Sequence, residues 1–254
     1  MVRKGLTGRA RSSTFSPYFK GTLLILFLAP PVLFIGVMSL RGPTDIGSNQ
    51  TAAIARLRNL SHCQEQYRRE RHVDLDGDGA GEYGTLGELT AAAGVRRDPR
   101  GRERGPRLGL PILSPSFSGV DATGIVITVN YCFRVLLPGP AGRVVHEGIP
   151  GSPLSGTVDT DASEGKWCAY AWPNVFLENY PACNRVFFID QSGEVWETAN
   201  QDARYAGPEG GPGWGAALTL DGRSGWVPDR PMASGKDGRL EYTGRDGNVW
   251  RRSY

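Results

Sequence analysis

The sequence predicts an α+β protein: an N-terminal transmembrane helix, then a long amphipathic helix packed on an antiparallel β-sheet. Three observations predict it. The uncharged run 21–40, GTLLILFLAPPVLFIGVMSL, has the roughly 20 residues a helix needs to cross a bilayer core. Apolar residues recur at spacings of three and four between 50 and 71. From 125 onward the period changes to two, in short runs divided by Gly, Pro, Asn and Asp.

The first element is set by charge. Arg3, Lys4, Arg9, Arg11 and Lys20 precede the apolar run, and no acidic residue lies among them. The positive-inside rule makes 1–20 a cytoplasmic basic tail and 21–40 a single-pass anchor, with everything after Arg41 on the far side of the membrane. Pro30 and Pro31 kink the span, as membrane helices tolerate. A cleaved signal peptide is the competing reading; the run is long for that role and no Ala-x-Ala ends it. The 254-residue chain carries a net charge of only +3, too little to argue for a nucleic-acid partner.

Residues 41–49, RGPTDIGSN, read as a linker broken by Gly42 and Pro43. The helix expected over 50–71 carries the stripe Ala53, Leu57, Leu60, Gln64 and Tyr67, widened by Ile54, so one face lies against a core. Asp and Gly at 74–81 end it. A short helix follows at 85–93, where Thr85 and Glu88 form a capping box. The segment 96–107, RRDPRGRERGPR, reads as an exposed basic loop. Ile125 to Leu137 alternate as one strand. A Pro/Gly-rich connection covers 138–164, and strands follow at 166–172, at 185–189 and, after a turn at 190–193, at 194–197. A last hairpin turns at Asp246-Gly247. The folded domain is thus read as 50–200, with 201–254 as a Gly-rich extension. Trp214 and Trp226, in its loops, are candidates for stacking on sugar.

The stretch 74–89, DLDGDGAGEYGTLGEL, is the candidate site. Gly79, Gly81 and Gly84 match G-x-G-x-x-G, but a helix precedes them and four carboxylates would repel a phosphate. A Ca²⁺ site suits the chemistry better. Asp74, Asp76 and Asp78 take positions 1, 3 and 5 of an EF-hand loop, with Gly79 at the sharp turn. Thr85 stands where the bidentate Glu belongs, leaving Glu82 as the fourth candidate ligand. His72 is adjacent. The same run also reads as a plain Asp/Gly helix stop and turn.

Four cysteines, Cys63, Cys132, Cys168 and Cys183, form no C-x-x-C pair, which argues against zinc. An even count in an exported domain favours disulfides. Cys168 with Cys183, or Cys132 with Cys168, are the pairs strand order suggests; sequence leaves all three complete pairings open. No G-x-S-x-G elbow appears and no catalytic set assembles, so no enzymatic activity is expected.

Taken as a set, several segments resemble bacterial type IV pilin-like and type II secretion pseudopilin-like proteins, above all those of planctomycetes. They are Glu65-Gln66-Tyr67 at the helix end, Glu82-Tyr83-Gly84-Thr85-Leu86-Gly87-Glu88-Leu89, Tyr131-Cys132-Phe133-Arg134-Val135, Trp167-Cys168-Ala169-Tyr170-Ala171-Trp172-Pro173, and Arg185 through Gly193. The resemblance covers about 50–200. It implies a pilin-like domain held in the periplasm by the bacterial inner membrane, acting through self-assembly or contacts with secretion or pilus proteins. The processing motif is degenerate. Lys20-Gly21-Thr22-Leu23-Leu24-Ile25-Leu26 keeps a basic-Gly start but has no Glu, and Arg41-Gly42-Pro43 interrupts the expected continuous helix. The alternative function is an extracytoplasmic module binding glycan or calcium.

Overall fold

The computed structural model describes residues 43–218, 233–235 and 238–253. Helix α1 spans Pro43–Arg69. It starts inside the segment expected to be linker, because proline at the first helical position lacks only an N–H that no helix would use and brings a helical φ. All five residues of the stripe, Ala53, Leu57, Leu60, Gln64 and Tyr67, are fully buried. The helix ends in a Schellman arrangement. Arg71 is left-handed at φ 52°, its N–H donates to Arg68 O, and the His72 N–H reaches Tyr67 O.

α2, Leu86–Leu89, is shorter than expected, but its capping box is present in full. α3 spans Thr160–Gly165, within the segment read as a connection, and is capped by Asp159. Strands β1 (Val126–Thr128) and β2 (Tyr131–Pro138) replace the single strand expected over 125–137. Val129 and Asn130 both take positive φ, 48° and 61°, as the two central residues of a tight hairpin turn require. A β-branched residue seldom adopts that region, so alternation alone conceals the turn.

β3 (Val144–Val145) pairs with β2, and β4 (Cys168–Pro173), β5 (Val186–Asp190) and β6 (Val195–Thr198) extend the sheet. β7 (Ala233–Ser234), β8 (Leu240–Thr243) and β9 (Val249–Arg252) complete it. The order is β1-β2-β4-β5-β6-β9-β8-β7, with β3 beside β2, and every strand pairing among the described residues is antiparallel. Residues beyond 200 therefore complete the sheet rather than extend a finished domain. The protein is α+β, as predicted. Among the described residues no helix is long and apolar enough to cross a membrane; the span read at 21–40 and the basic tail before it lie outside them.

The central strands β4, β5 and β6 are buried on both faces. On one, Ala53, Leu57 and Leu60 of α1 share a core with Phe133, Val135, Ala169, Ala171, Phe187 and Ile189. On the other, Leu136, Tyr170, Trp172, Phe188, Trp196 and Trp250 lie under the 205–218 segment. That segment is fixed by the Tyr170 hydroxyl donating to Trp214 O at 2.8 Å, Trp172 Nε1 donating to Gly207 O at 2.7 Å and the Tyr242 hydroxyl donating to Ala217 O at 2.6 Å. Trp214 itself packs against this second core, with the Arg245 guanidinium 5.4 Å from its ring. It is not a free stacking surface, and Trp226 lies outside the described residues.

All four cysteines are free thiols, which corrects the disulfide expectation. Cys63 belongs to the core on the helix side of the sheet, whereas Cys132 and Cys168 belong to the other. In the β2–β4 register Cys132 pairs with Trp172 and Cys168 with Leu136. The two are thus displaced by about 13 Å along the strands, well beyond the reach of a disulfide. Cys168 faces Asp190 at one end of β5, while Cys183 precedes the other end.

Candidate functional site

The residues of 74–89 divide between two structures. The outer one is the aspartate loop. Asp74 accepts the N–H groups of Gly77 and Gly79 at 2.9 and 3.2 Å, Asp76 accepts Asp78 N–H at 3.2 Å, and Asp78 accepts Ala80 N–H at 2.7 Å. Gly77 and Gly79 supply the positive φ, 76° and 91°, that this tight winding needs. One carboxylate oxygen from each of Asp74, Asp76 and Asp78 lies within 4.8 Å of the others. Asp161 and Glu164 of α3 add to the negative field. Glu164 is held above the usual carboxylate range, first by loss of solvent and then by Asp78, Asp76 and Asp161.

The other sequence-predicted members do not join this group. Glu82 turns inward and is 1% exposed. Its Oε1 accepts Leu75 N–H at 3.0 Å, and its Oε2 accepts Arg96 Nη2 and Ser163 Oγ, both at 2.9 Å. Both oxygens are engaged, so Glu82 anchors the loop from beneath and is not a cation ligand. His72 pairs with Glu70 at 2.7 Å and packs on the Tyr67 ring.

The remaining glycines owe their place to close packing, not to a phosphate. A Cβ on Gly81 would collide with the main chain of α1 at Arg68, and one on Gly84 would sit 3.0 Å from the Tyr67 ring. Gln64 then closes this contact, its amide donating to Gly84 O and accepting Gly84 N–H, both at 2.9 Å.

The inner structure is a buried ionic cluster. Residues 94–106 fold back on themselves, with Arg96 bridged to Arg104. The two guanidiniums point to the same side, and Glu88 lies between them. Arg96 Nη1 meets Glu88 at 2.7 Å, Arg96 Nη2 meets Glu82 at 2.9 Å, and Arg104 Nη1 meets Glu88 at 3.4 Å. Arg96 also donates to Tyr83 O at 2.8 Å and is fully buried in its side chain. Burial opposes its charge, but Glu88 and Glu82 overcome that and hold the guanidinium ionised. The segment read as an exposed basic loop is therefore half internal, with Arg97, Arg100, Arg102 and Arg107 exposed.

Glu147 reaches the same cluster from the 146–158 loop. Its Oε2 accepts Gly87 N–H at 2.6 Å. Burial pushes its carboxyl up to about 7, Glu88 adds to the rise, and the Gly87 N–H and Arg104 oppose it. The capping-box pattern marks Glu88 in the sequence; no local signal marks Arg96, Arg104 or Glu147 as its companions.

A scan of protein-family models and searches of curated proteins and of solved structures return no match to this chain. The buried cluster is closed to solvent and braces four segments: 73–90, 94–106, 146–158 and α3. The aspartate loop above it offers three hard oxygens on a framework that the Glu82–Leu75 bond holds in shape. A cleft of about 180 Å³ near the β6–β9 pair is lined by Arg185, Glu197, Asp202, Asn248 and Arg251, among others. Its two guanidiniums already pair with Glu197 and Glu241. The thiols of Cys63, Cys132 and Cys168 are pushed up by burial, Cys132 to about 12, so they are protonated packing groups near neutral pH.

Proposed function

We propose that this chain is a membrane-tethered, non-catalytic protein of the bacterial envelope, with an extracytoplasmic pilin-like domain that acts through protein–protein contacts. The observation that supports it is α1. The helix begins at Pro43, directly after the apolar run 21–40, and docks through one buried stripe onto one face of an antiparallel sheet. A tethered domain of this design presents the outward side of its first helix to neighbours. Arg58, Asn59, His62 and Gln66 are exposed on that side. The test is photo-crosslinking in intact cells, with the cross-linker at position 58 or 62 of the full-length protein. Self-adducts or discrete heterologous adducts support the reading. Monomer alone from both positions, in membranes that contain the protein, rejects it.

A second reading is a calcium-binding module. The convergence of Asp74, Asp76 and Asp78 favours it, and three ligands leave the remaining coordination to water and main-chain oxygen. The two readings are compatible, since a cation there would stiffen the segment on which α1 ends.

A further inference from the structure

The buried cluster contains three glutamates and two arginines. Glu82 and Glu88 pair with Arg96, and Glu88 also with Arg104. Glu147 has no guanidinium within ion-pairing distance among the described residues. Its Oε1 is sealed from solvent without a hydrogen-bond partner. Beside it lies a water-sized void of about 10 Å³, lined by Thr85, Leu86, Val135, Leu137 and Leu154. The carboxyl fills the space a side chain at Gly87 would take. A charged Glu147 would leave the buried group with one uncompensated negative charge; a neutral one leaves two carboxylates against two guanidiniums.

The groups facing Glu147 are few. The turn at 85–89 presents the Thr85 hydroxyl and Glu88, and the 94–106 hairpin presents Arg104; Thr85 and Arg104 favour the charged form, and Glu88 opposes it. Its own loop presents His146, whose Nδ1 is 3.0 Å from the Glu147 main-chain oxygen. The β1–β2 side presents Gly124, Val135 and Leu137, which carry no charge. Elsewhere the 146–158 loop is held by Leu154 N–H on Arg100 O, Val158 N–H on Pro99 O and Arg104 Nη2 on Ser152 O.

We propose that Glu147 is a proton-operated latch: in its neutral form it closes the 146–158 loop onto the turn at 85–89, and loss of its proton loosens that closure. Opening would expose the carboxyl to water, where it ionises near 4.5, whereas the closed form holds its proton to about 7. Opening therefore releases a proton between those values. The latch is tightest below about pH 5, weakens as the pH rises to about 7, and changes no further above that.

The test is amide hydrogen exchange of the full-length protein in detergent from pH 5 to pH 8, beside Glu147→Gln. Comparing the two at each pH cancels the intrinsic pH dependence of exchange. Wild-type protection over 146–158 should fall, relative to the variant, by up to about tenfold per pH unit between 5 and 7, then level off. Gly87→Ala should remove that protection at every pH, because its Cβ occupies the carboxyl's place. His146→Gln should keep the wild-type response. Parallel curves for wild type and Glu147→Gln overturn the proposal, as does a response that follows His146 instead. Should Glu147→Gln not fold, the ratio of protection over 146–158 to that over 240–252 within the wild type serves, and a ratio independent of pH overturns it.

Discussion

Gln64 holds Gly84 by both of its main-chain groups, through two bonds of 2.9 Å made by a single side-chain amide. This pair joins the C-terminal part of α1 to the strip that carries the capping box, and both partners are buried. Replacing Gln64 with Leu keeps the apolar stripe but leaves a buried N–H and a buried C=O unpaired. Each orphaned group costs about 1–3 kcal/mol, so Gln64→Leu should lose roughly 2–6 kcal/mol in urea denaturation of the domain from Ile46. Gly84→Ala should also destabilise, since its Cβ would press on the Tyr67 ring. A Gln64→Leu loss below about 1 kcal/mol would show that Gly84 finds other partners.

Arg96 is the keystone of the inner cluster. Arg96→Met removes a cation that touches both Glu82 and Glu88, and breaking a buried pair from one side costs about 3–5 kcal/mol. Arg96→Lys should recover little, because one ammonium cannot present two separate edges to two carboxylates. Adding Glu82→Gln and Glu88→Gln to Arg96→Met should restore part of the loss, since the two carboxylates that Arg96 neutralised are then uncharged and only Arg104, itself partly exposed, is left without Glu88. A triple variant less stable than Arg96→Met by the sum of the single losses would contradict this coupling.

These two sites show what the sequence made legible. The stripe of α1, the capping box, the α+β class and the last hairpin follow from local periodicity and turn chemistry, and local rules suffice for them. Arg96 and Arg104 sit in a run whose composition is that of a solvated loop, yet chain reversal turns alternate residues inward to a carboxylate. Only tertiary contact decides that. The β1–β2 turn was hidden for a different reason: Val129 continues the strand pattern while taking a backbone conformation that Gly or Asn ordinarily supplies. Glu82 looked like a ligand by spacing and is an anchor by contact. Parity alone pairs the cysteines, but the sheet's two faces and register keep Cys63, Cys132 and Cys168 apart.

Glu147 gives the fold a pH dependence of defined sign. Its folded value is raised, to about 7 from an ordinary 4.5. Between those values the native state holds a proton that the unfolded state has released, so its contribution is full below about pH 4.5 and lost by about pH 7. A shift of that size corresponds to about 3 kcal/mol. Denaturant midpoints of the wild type should show this downward component between pH 5 and 7, and Glu147→Gln should lack it. Slopes that coincide for the two proteins across that window would refute the assignment.

The aspartate loop has a direct thermodynamic test. Asp74, Asp76 and Asp78 bring three carboxylates together, so their mutual repulsion is an unfavourable term that a bound divalent cation would reverse. Calcium that binds only the folded state stabilises it by about 2.7 kcal/mol when its free concentration is a hundred times the dissociation constant. The melting temperature of the domain from Ile46 should therefore rise with added Ca²⁺. Asp76→Asn with Asp78→Asn should abolish the rise while preserving the fold, because both side chains are exposed and their loop bonds can be accepted by an amide oxygen. Glu82→Gln distinguishes anchor from ligand. It should lower stability equally with and without Ca²⁺, since Glu82 spends its oxygens on Leu75, Arg96 and Ser163. A melting temperature indifferent to millimolar Ca²⁺ would leave the three aspartates with a purely local task, capping the N–H groups of the turn on which α1 ends.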